Sequence, residues 1–172
     1  MIELDTSIVV VLVDDNEDDR ELAARALQRA GVTNDVIMLS DGVEALAFFD
    51  EAMKTEAGAA RTYLVLLDLN MPKLGGLDVL RTVRGHPNLR RLQVVVLTSS
   101  DEERDLLDSY ELGANSYIRK PVDFAQFSDT IRQLGFYWLG LNCPAPGGLN
   151  AITKNRDPQR MRRSQPFPPS ER

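Results

Sequence analysis

The sequence predicts an α/β fold in which five parallel strands alternate with five helices, a doubly wound sheet with helices on both faces. Short apolar, β-branched runs recur along the chain, separated by segments whose apolar residues keep helical spacing. Each of four such runs breaks off in residues that suit chemistry: Asp14-Asp15-Asn16, Asp68, Thr98-Ser99-Ser100 and Arg119-Lys120-Pro121. A chain of 172 residues with 43% hydrophobic content can bury one full core and carry an appendage, whereas two large domains would not fit.

The first strand is residues 7–13, SIVVVLV, a continuous β-branched run that ends in acid. A helix over 17–30 follows, with Leu22, Ala23, Ala26, Leu27 and Ala30 on one stripe, acids in the first turn and Gly31 as its stop. Residues 35–39 form the second strand; Ser40-Asp41-Gly42 leads into a helix over 43–53 and then a loop over 54–62. The third strand, 63–67 (YLVLL), reads as buried on both faces, so Asp68 lies where the chain leaves the core. After a loop over 69–75 with Met71-Pro72, a helix over 77–84 ends at Gly85, with Pro87 beyond it. Residues 93–97 (QVVVL) are the fourth strand, and a helix over 101–112 is capped by Ser100 or Asp101 and closed by Gly113. A minimal fifth strand over 115–118 precedes the last helix, which begins at Asp123, keeps Phe124, Phe127, Ile131, Leu134 and Trp138 at three-four spacing, and ends by Pro144.

Bulk charge narrows the function classes. The net charge is -6, but six basic and two acidic residues from Leu141 onward give the tail +4, which leaves -10 for the rest. An acidic body opposes phosphate-backbone binding, and the Arg160, Arg162 and Arg163 run is too short and proline-flanked for a helix-turn-helix output domain, so no DNA partner is expected. The N-terminus lacks a basic lead and the apolar core of a signal peptide, and the longest apolar run, residues 8–13, cannot span a bilayer; a cytoplasmic protein without membrane association is expected. The single Cys143 lies in a Pro/Gly-rich stretch and excludes an internal disulfide. The main domain is expected over 1–140, and 141–172 as a Pro-rich basic tail, disordered or lying on a partner.

In a parallel sheet the C-terminal strand ends share one edge, where ligands gather. That edge brings Asp14, Asp15, Asp68, Thr98 and Lys120 together. Taken singly, the acids are helix caps or turn residues, Thr98 a cap and Lys120 an exposed loop cation; jointly they are harder to set aside. Converging carboxylates repel by roughly 4 kcal/mol per pair at ~4 Å and an effective dielectric of ~20, so packing alone does not favour them. A divalent cation together with Lys120 would offset the three charges, and hard oxygen donors without a Cys/His set point to Mg2+ in preference to zinc. Magnesium favours phosphate as a co-ligand. A Thr98 hydroxyl and a Lys120 ammonium are groups that hold phosphoryl oxygens, and a neighbouring Asp can be the nucleophile, giving an aspartyl phosphate.

Asp14-Asp15, Asp68 in DLNMP, Thr98-Ser99 after VVVL, and Lys120-Pro121, in this order, resemble the receiver domain of two-component response regulators over about residues 7–139. The resemblance implies a flavodoxin-like (βα)5 fold with strand order 2-1-3-4-5. It also implies Asp68 as the phosphoacceptor, Mg2+ held by Asp15, Asp68 and the Asn70 carbonyl with Asp14 acting through water, and Lys120 gripping the phosphoryl group. Thr98 and Tyr117 become the switch pair, although Tyr117 also reads as core filling. The Lys120-Pro121 bond is expected cis by the same resemblance. Asp14-Asp15-Asn16-Glu17, DGVEALAF, GHPNLRRLQVVVLTSS and Phe136-Tyr137-Trp138 further resemble single-domain receivers that serve bacterial phytochrome-type histidine kinases. Gly75 departs from the pattern, since many receivers place Asp or Asn there; this alters the loop and leaves the phosphorylation set intact.

The implied function is that of a single-domain response regulator, phosphorylated on Asp68 by a partner histidine kinase and signalling by protein contact, with no external substrate turned over. His86, the only histidine, sits in a Gly85-His86-Pro87 turn, so a phosphohistidine donor belongs to another protein. Phe136, Tyr137, Trp138, Leu139 and Leu141 cover more of the helix than a sheet-facing stripe needs. They either fold back or make a dimer or kinase contact, and a homodimer through the last helix is expected. Alternatives are a haloacid-dehalogenase-like phosphatase, which needs an acid where Asn70 stands, a dimerising module with little phosphotransfer, and a flavodoxin-like cofactor binder, which the acidic turn after the first strand disfavours.

Overall fold

The computed structural model describes residues 4–145 and 148–150. In chain order the elements are β1 (Ile8–Val13), α1 (Glu17–Arg29), β2 (Val36–Leu39), α2 (Gly42–Lys54), α3 (Glu56–Ala60), β3 (Thr62–Leu67), α4 (Gly76–Gly85), β4 (Gln93–Thr98), α5 (Glu103–Glu111), β5 (Ser116–Arg119) and α6 (Phe124–Phe136). All five strands pair in parallel in the order β2-β1-β3-β4-β5, the doubly wound flavodoxin-like arrangement that the sequence implied.

Strand periodicity divides the core into two. Ile8, Val10 and Leu12 of β1 face Ala23, Ala26 and Leu27 of α1 and Phe127, Ile131 and Leu134 of α6. Val9, Val11 and Val13 face Ala45 and Phe49 of α2 and Val79, Leu80 and Val83 of α4. Because successive side chains of a strand point to opposite faces, a central strand covered on both sides must be apolar throughout, and β1 is buried at every position.

Local signals explain most boundaries. Asn16 caps α1 by accepting from the Asp19 N–H at 3.2 Å, and Asp41 caps α2 by accepting from the Glu44 N–H at 2.8 Å. The expected loop over 54–62 instead contains α3: Thr55 ends α2, accepts from the Gly58 N–H at 3.0 Å and starts a second short helix, with Glu56 in its first turn. α5 is shorter than the expected 101–112, starting at Glu103 after an N-cap, Glu102, that makes no side-chain cap bond. Neither Ser100 nor Asp101 caps it, because Ser100 is drawn into the core edge. β5 runs from Ser116 to Arg119, one residue later than read, since Asn115 spends its side chain on the Val94 N–H at 2.8 Å and on Arg84 at 3.0 Å.

The last helix does not run on to Pro144. α6 passes into a π-helical turn, Tyr137–Leu141, which the Asn142 N–H closes onto the Tyr137 carbonyl at 2.8 Å. That turn splits the aromatic cluster: Trp138 and Leu139 fold back into the core, while Phe136, Tyr137 and Leu141 stay exposed. Leu149, inside the stretch expected as a Pro-rich tail that is disordered or lies on a partner, is buried with Tyr63, Leu89 and Leu92. The basic run 160–163 and the remainder of the tail lie outside the described residues. Among the described residues no peptide bond is cis, so the expected cis Lys120-Pro121 bond is corrected to trans, the form that even prolyl bonds favour. Within the described residues no helix is long and apolar enough to cross a membrane.

Candidate functional site

Three strand ladders each extend one residue beyond the strand and carry a functional residue to the same edge. The Asp14 N–H bonds the Leu39 carbonyl at 3.1 Å, the Asp68 N–H the Val13 carbonyl at 2.9 Å, and the Lys120 N–H the Thr98 carbonyl at 2.8 Å. These backbone bonds explain why acids follow directly on apolar runs: the ladder holds the main chain while the side chains leave the core. Asp14 and Asp68 are buried and Asp15 is exposed, and the three offer carboxylate oxygens that all lie within 4.8 Å of one another.

Lys120 supplies the facing charge. Its side chain is 8% exposed; Nζ hydrogen-bonds Asp14, lies 3.0 Å from Asp19 Oδ2 and stands 4.0 Å from Asp68 Oδ2. Burial pushes the Asp68 carboxyl above its ordinary range, against the pull of Lys120, the Thr98 hydroxyl and the Leu69 N–H, which bonds Asp68 Oδ1 at 2.9 Å. Asp14 is likewise raised, again by burial first, although Lys120 and the Asn16 N–H oppose the shift. For Lys120 burial alone would favour the neutral amine, but Asp14, Asp68 and Asp19 outweigh it and the ammonium is held above its usual range. Two carboxyls that resist ionisation beside a lysine form a site short of positive charge.

Thr98 is fully buried beneath this group, and its hydroxyl accepts from the Ser100 N–H at 3.3 Å. Tyr117 is half-buried, and its OH donates to the Ser100 carbonyl at 3.4 Å. The described link between Thr98 and Tyr117 therefore runs through Ser100, whose own hydroxyl donates to Asp105 of α5 at 2.5 Å. Asn70 is exposed on the loop after Asp68. That loop is drawn in at both ends: Lys73, at φ 65°, pairs with Asp41 at 2.6 Å, and the Gly76 N–H bonds the Leu69 carbonyl at 2.9 Å.

Asp14, Asp15, Asp68, Thr98 and Lys120 thus meet as the sequence led us to expect, with Asn70 adjacent and Tyr117 one residue removed. Three further residues escaped the sequence reading. Asp19 looked like a first-turn acid for the α1 dipole, yet it adds a third carboxylate at Lys120, beside Asp14 and Asp68. Arg20, next to it, reaches back to the Asp14 carbonyl. Gly76 passes so close to the Asp68 carbonyl that a Cβ there would lie 2.2 Å from its oxygen. The Gly75-Gly76 pair was a visible signal for close approach, whereas nothing in the spacing separated Asp19 from Glu17 and Asp18.

Donor chemistry provides a test of the cation. Ligands of an octahedral ion with bonds of about 2.1 Å lie roughly 3–4 Å apart, so oxygens already within 4.8 Å suit a small, hard divalent cation. The set contains no nitrogen or sulfur ligand.

The chain matches the family described as the Response regulator receiver domain over residues 10–132. It is 36% identical over 131 residues to the response regulator Rcp1 of Synechocystis sp., which covers 76% of this chain and 88% of that protein. Among solved structures, the Mn(2+)-bound form of Rcp1 superposes with a TM-score of 0.72 at 34% identity, covering 80% of this chain and 98% of that one. The phosphorylated cyanobacterial phytochrome response regulator RcpA gives a TM-score of 0.72 at 36% identity, covering 79% and 96%.

Proposed function

This chain belongs to the response regulator receiver family, and on that premise we propose that Asp68 is the residue that takes up the phosphoryl group from a partner histidine kinase. The observation that carries this reading is the convergence of Asp14, Asp15 and Asp68 at the strand ends, with the Lys120 ammonium 4.0 Å from Asp68. Membership of the family makes the chain a phosphoacceptor of two-component signalling. We read it as one that turns over no external substrate, because Asn70 offers no acid or base where a phosphatase of the haloacid-dehalogenase kind requires one.

In the reaction a carboxylate oxygen of Asp68 attacks phosphorus opposite the histidine nitrogen. The new O–P bond forms as the P–N bond breaks, and its electron pair returns to the imidazole. Asp14, Asp15, Asp68 and the Asn70 carbonyl would hold a divalent cation, Mg2+ in this reading, which supplies charge neutralisation for the phosphoryl oxygens. Lys120 moves from its carboxylate partners towards the incoming phosphoryl oxygens, and the Thr98 hydroxyl donates to another. Movement of Thr98 is passed through Ser100 to Tyr117 and Asp105, altering the face formed by α5, β5 and α6.

Two finer points belong to the same proposal. Similarity to RcpA favours a phytochrome-type kinase as the partner, and in this reading the two meet in the cytoplasm. Exposed Phe136, Tyr137 and Leu141 at the end of the last helix favour a homodimer through that surface. The central test is acetyl phosphate with Mg2+, followed on phosphate-affinity gels. Wild type should shift and Asp68→Asn should not; labelling that survives the substitution would sink the assignment.

A further inference from the structure

Lys120 does not rest on Asp68. Its ammonium hydrogen-bonds Asp14 and sits 3.0 Å from Asp19 Oδ2, a full ångström nearer than its 4.0 Å separation from Asp68 Oδ2. Asp19 stands outside the trio of carboxylates placed to share a cation, and its side chain is 32% exposed against 6% for Asp68. It is nevertheless held firmly: its N–H is bonded by the Asn16 cap at 3.2 Å, and the next residue, Arg20, is tied to the Asp14 carbonyl. A lysine ammonium is a compact charge with three donors, so carboxylates around it compete for one ion on a flexible stem.

We propose that Asp19 is a positioning residue that sets the resting place of Lys120 and competes with a phosphoryl group on Asp68 for its ammonium. This rests on the reading of Asp68 as the phosphoacceptor. With Asp14 engaged by a cation, Asp19 is the carboxylate of the resting pair that remains free for Lys120, so the strength of this contact opposes transfer of the ammonium to phosphoryl oxygens. Because the lysine side chain is almost excluded from water, the opposition is screened far less than a surface ion pair would be. Asp19 thereby tunes how tightly the phosphorylated state is held without touching the phosphoryl group.

Beryllofluoride, an acyl-phosphate analogue, reads this out apart from turnover. Its affinity is measured by NMR titration at saturating Mg2+, beside the affinity for Mg2+ alone, in wild type, Asp19→Asn, Asp19→Glu and Asp18→Asn, with melting curves to show that each folds. Asp18 is exposed on the same turn and controls for loss of one negative charge nearby. The expected result is beryllofluoride binding tightened about threefold to tenfold by Asp19→Asn, with Asp18→Asn and Asp19→Glu within about twofold of wild type. Equal affinities for Asp19→Asn and Asp18→Asn, or no recovery in Asp19→Glu, would overturn the proposal. If wild type takes up no beryllofluoride while still binding Mg2+, the phosphoacceptor reading itself fails, an outcome distinct from equal binding by all four proteins.

Discussion

Asp68 bears the conflict between folding and chemistry most directly. It is 5% exposed, and burial holds its carboxyl above the ordinary range, so ionisation costs the folded chain more than the unfolded one. The stabilisation linked to this group is full below the unfolded carboxylate pKa of about 3.9 and is lost as pH rises through the higher folded value. In metal-free protein, Asp68→Asn should therefore raise stability at neutral pH, seen as a higher melting temperature than wild type. The gain should vanish near the unfolded pKa, and melting curves at neutral and acid pH check it; a variant that melts lower at neutral pH would contradict the burial argument. Lys120 follows the same sign in a different window: its raised value keeps its contribution present through neutral pH, to be lost only as pH climbs past the ordinary 10.5. Saturating Mg2+ should shrink the advantage of Asp68→Asn, because the cation restores the missing positive charge.

At the scale of elements, the loop between β3 and α4 decides where Asn70 and the Asp68 backbone lie. Gly76 begins α4 where a Cβ would lie 2.2 Å from the Asp68 carbonyl oxygen and 2.8 Å from the Leu69 Cα, both backbone contacts that cannot swing away. Gly76→Ala is expected to destabilise by about 2–3 kcal/mol and to slow labelling by acetyl phosphate. Denaturant melts and phosphate-affinity gels measure the two effects, and wild-type behaviour in both would remove Gly76 from the site. The preceding Gly75 occupies the N-cap of α4 and makes no side-chain cap bond, which is what departure from Asp or Asn at that position costs this helix. α5 also starts without a side-chain cap, since Ser100 bonds Asp105 and stays with Thr98.

Across the whole molecule, the α6 end offers the surface for assembly. Trp138 and Leu139 complete the core, so the apolar residues left over, Phe136, Tyr137 and Leu141, are each about half exposed, at 46%, 51% and 53%. Multi-angle light scattering should give a dimer mass for the wild type and a monomer mass for Phe136→Glu with Leu141→Glu. A monomeric wild type, with and without phosphodonor, would exclude the dimer. Leu149 closes the opposite side of the sheet against Tyr63, Leu89 and Leu92, so the chain beyond α6 contributes to the fold before reaching the basic run.

The two periodicities of the sequence determined the sheet, its two covered faces and the edge at which Asp14, Asp15, Asp68, Thr98 and Lys120 meet, because alternation and helical spacing dictate which side chains a parallel sheet can bury. Family resemblance added the strand order. Less legible were features that depend on neighbours distant in sequence. The α3 helix was hidden in a small-residue stretch, although Thr55 and Glu56 carried a cap signal; the Tyr63 OH bonds its Gly58 carbonyl at 2.9 Å. Trp138 and Tyr137 are adjacent in sequence but only one is core, a division set by a π-helical turn that spacing does not reveal. Asp19 could not be told from its acidic neighbours until Lys120, 101 positions away, was found beside it. Local pattern decides which face a residue presents; only tertiary packing decides which charge that face meets.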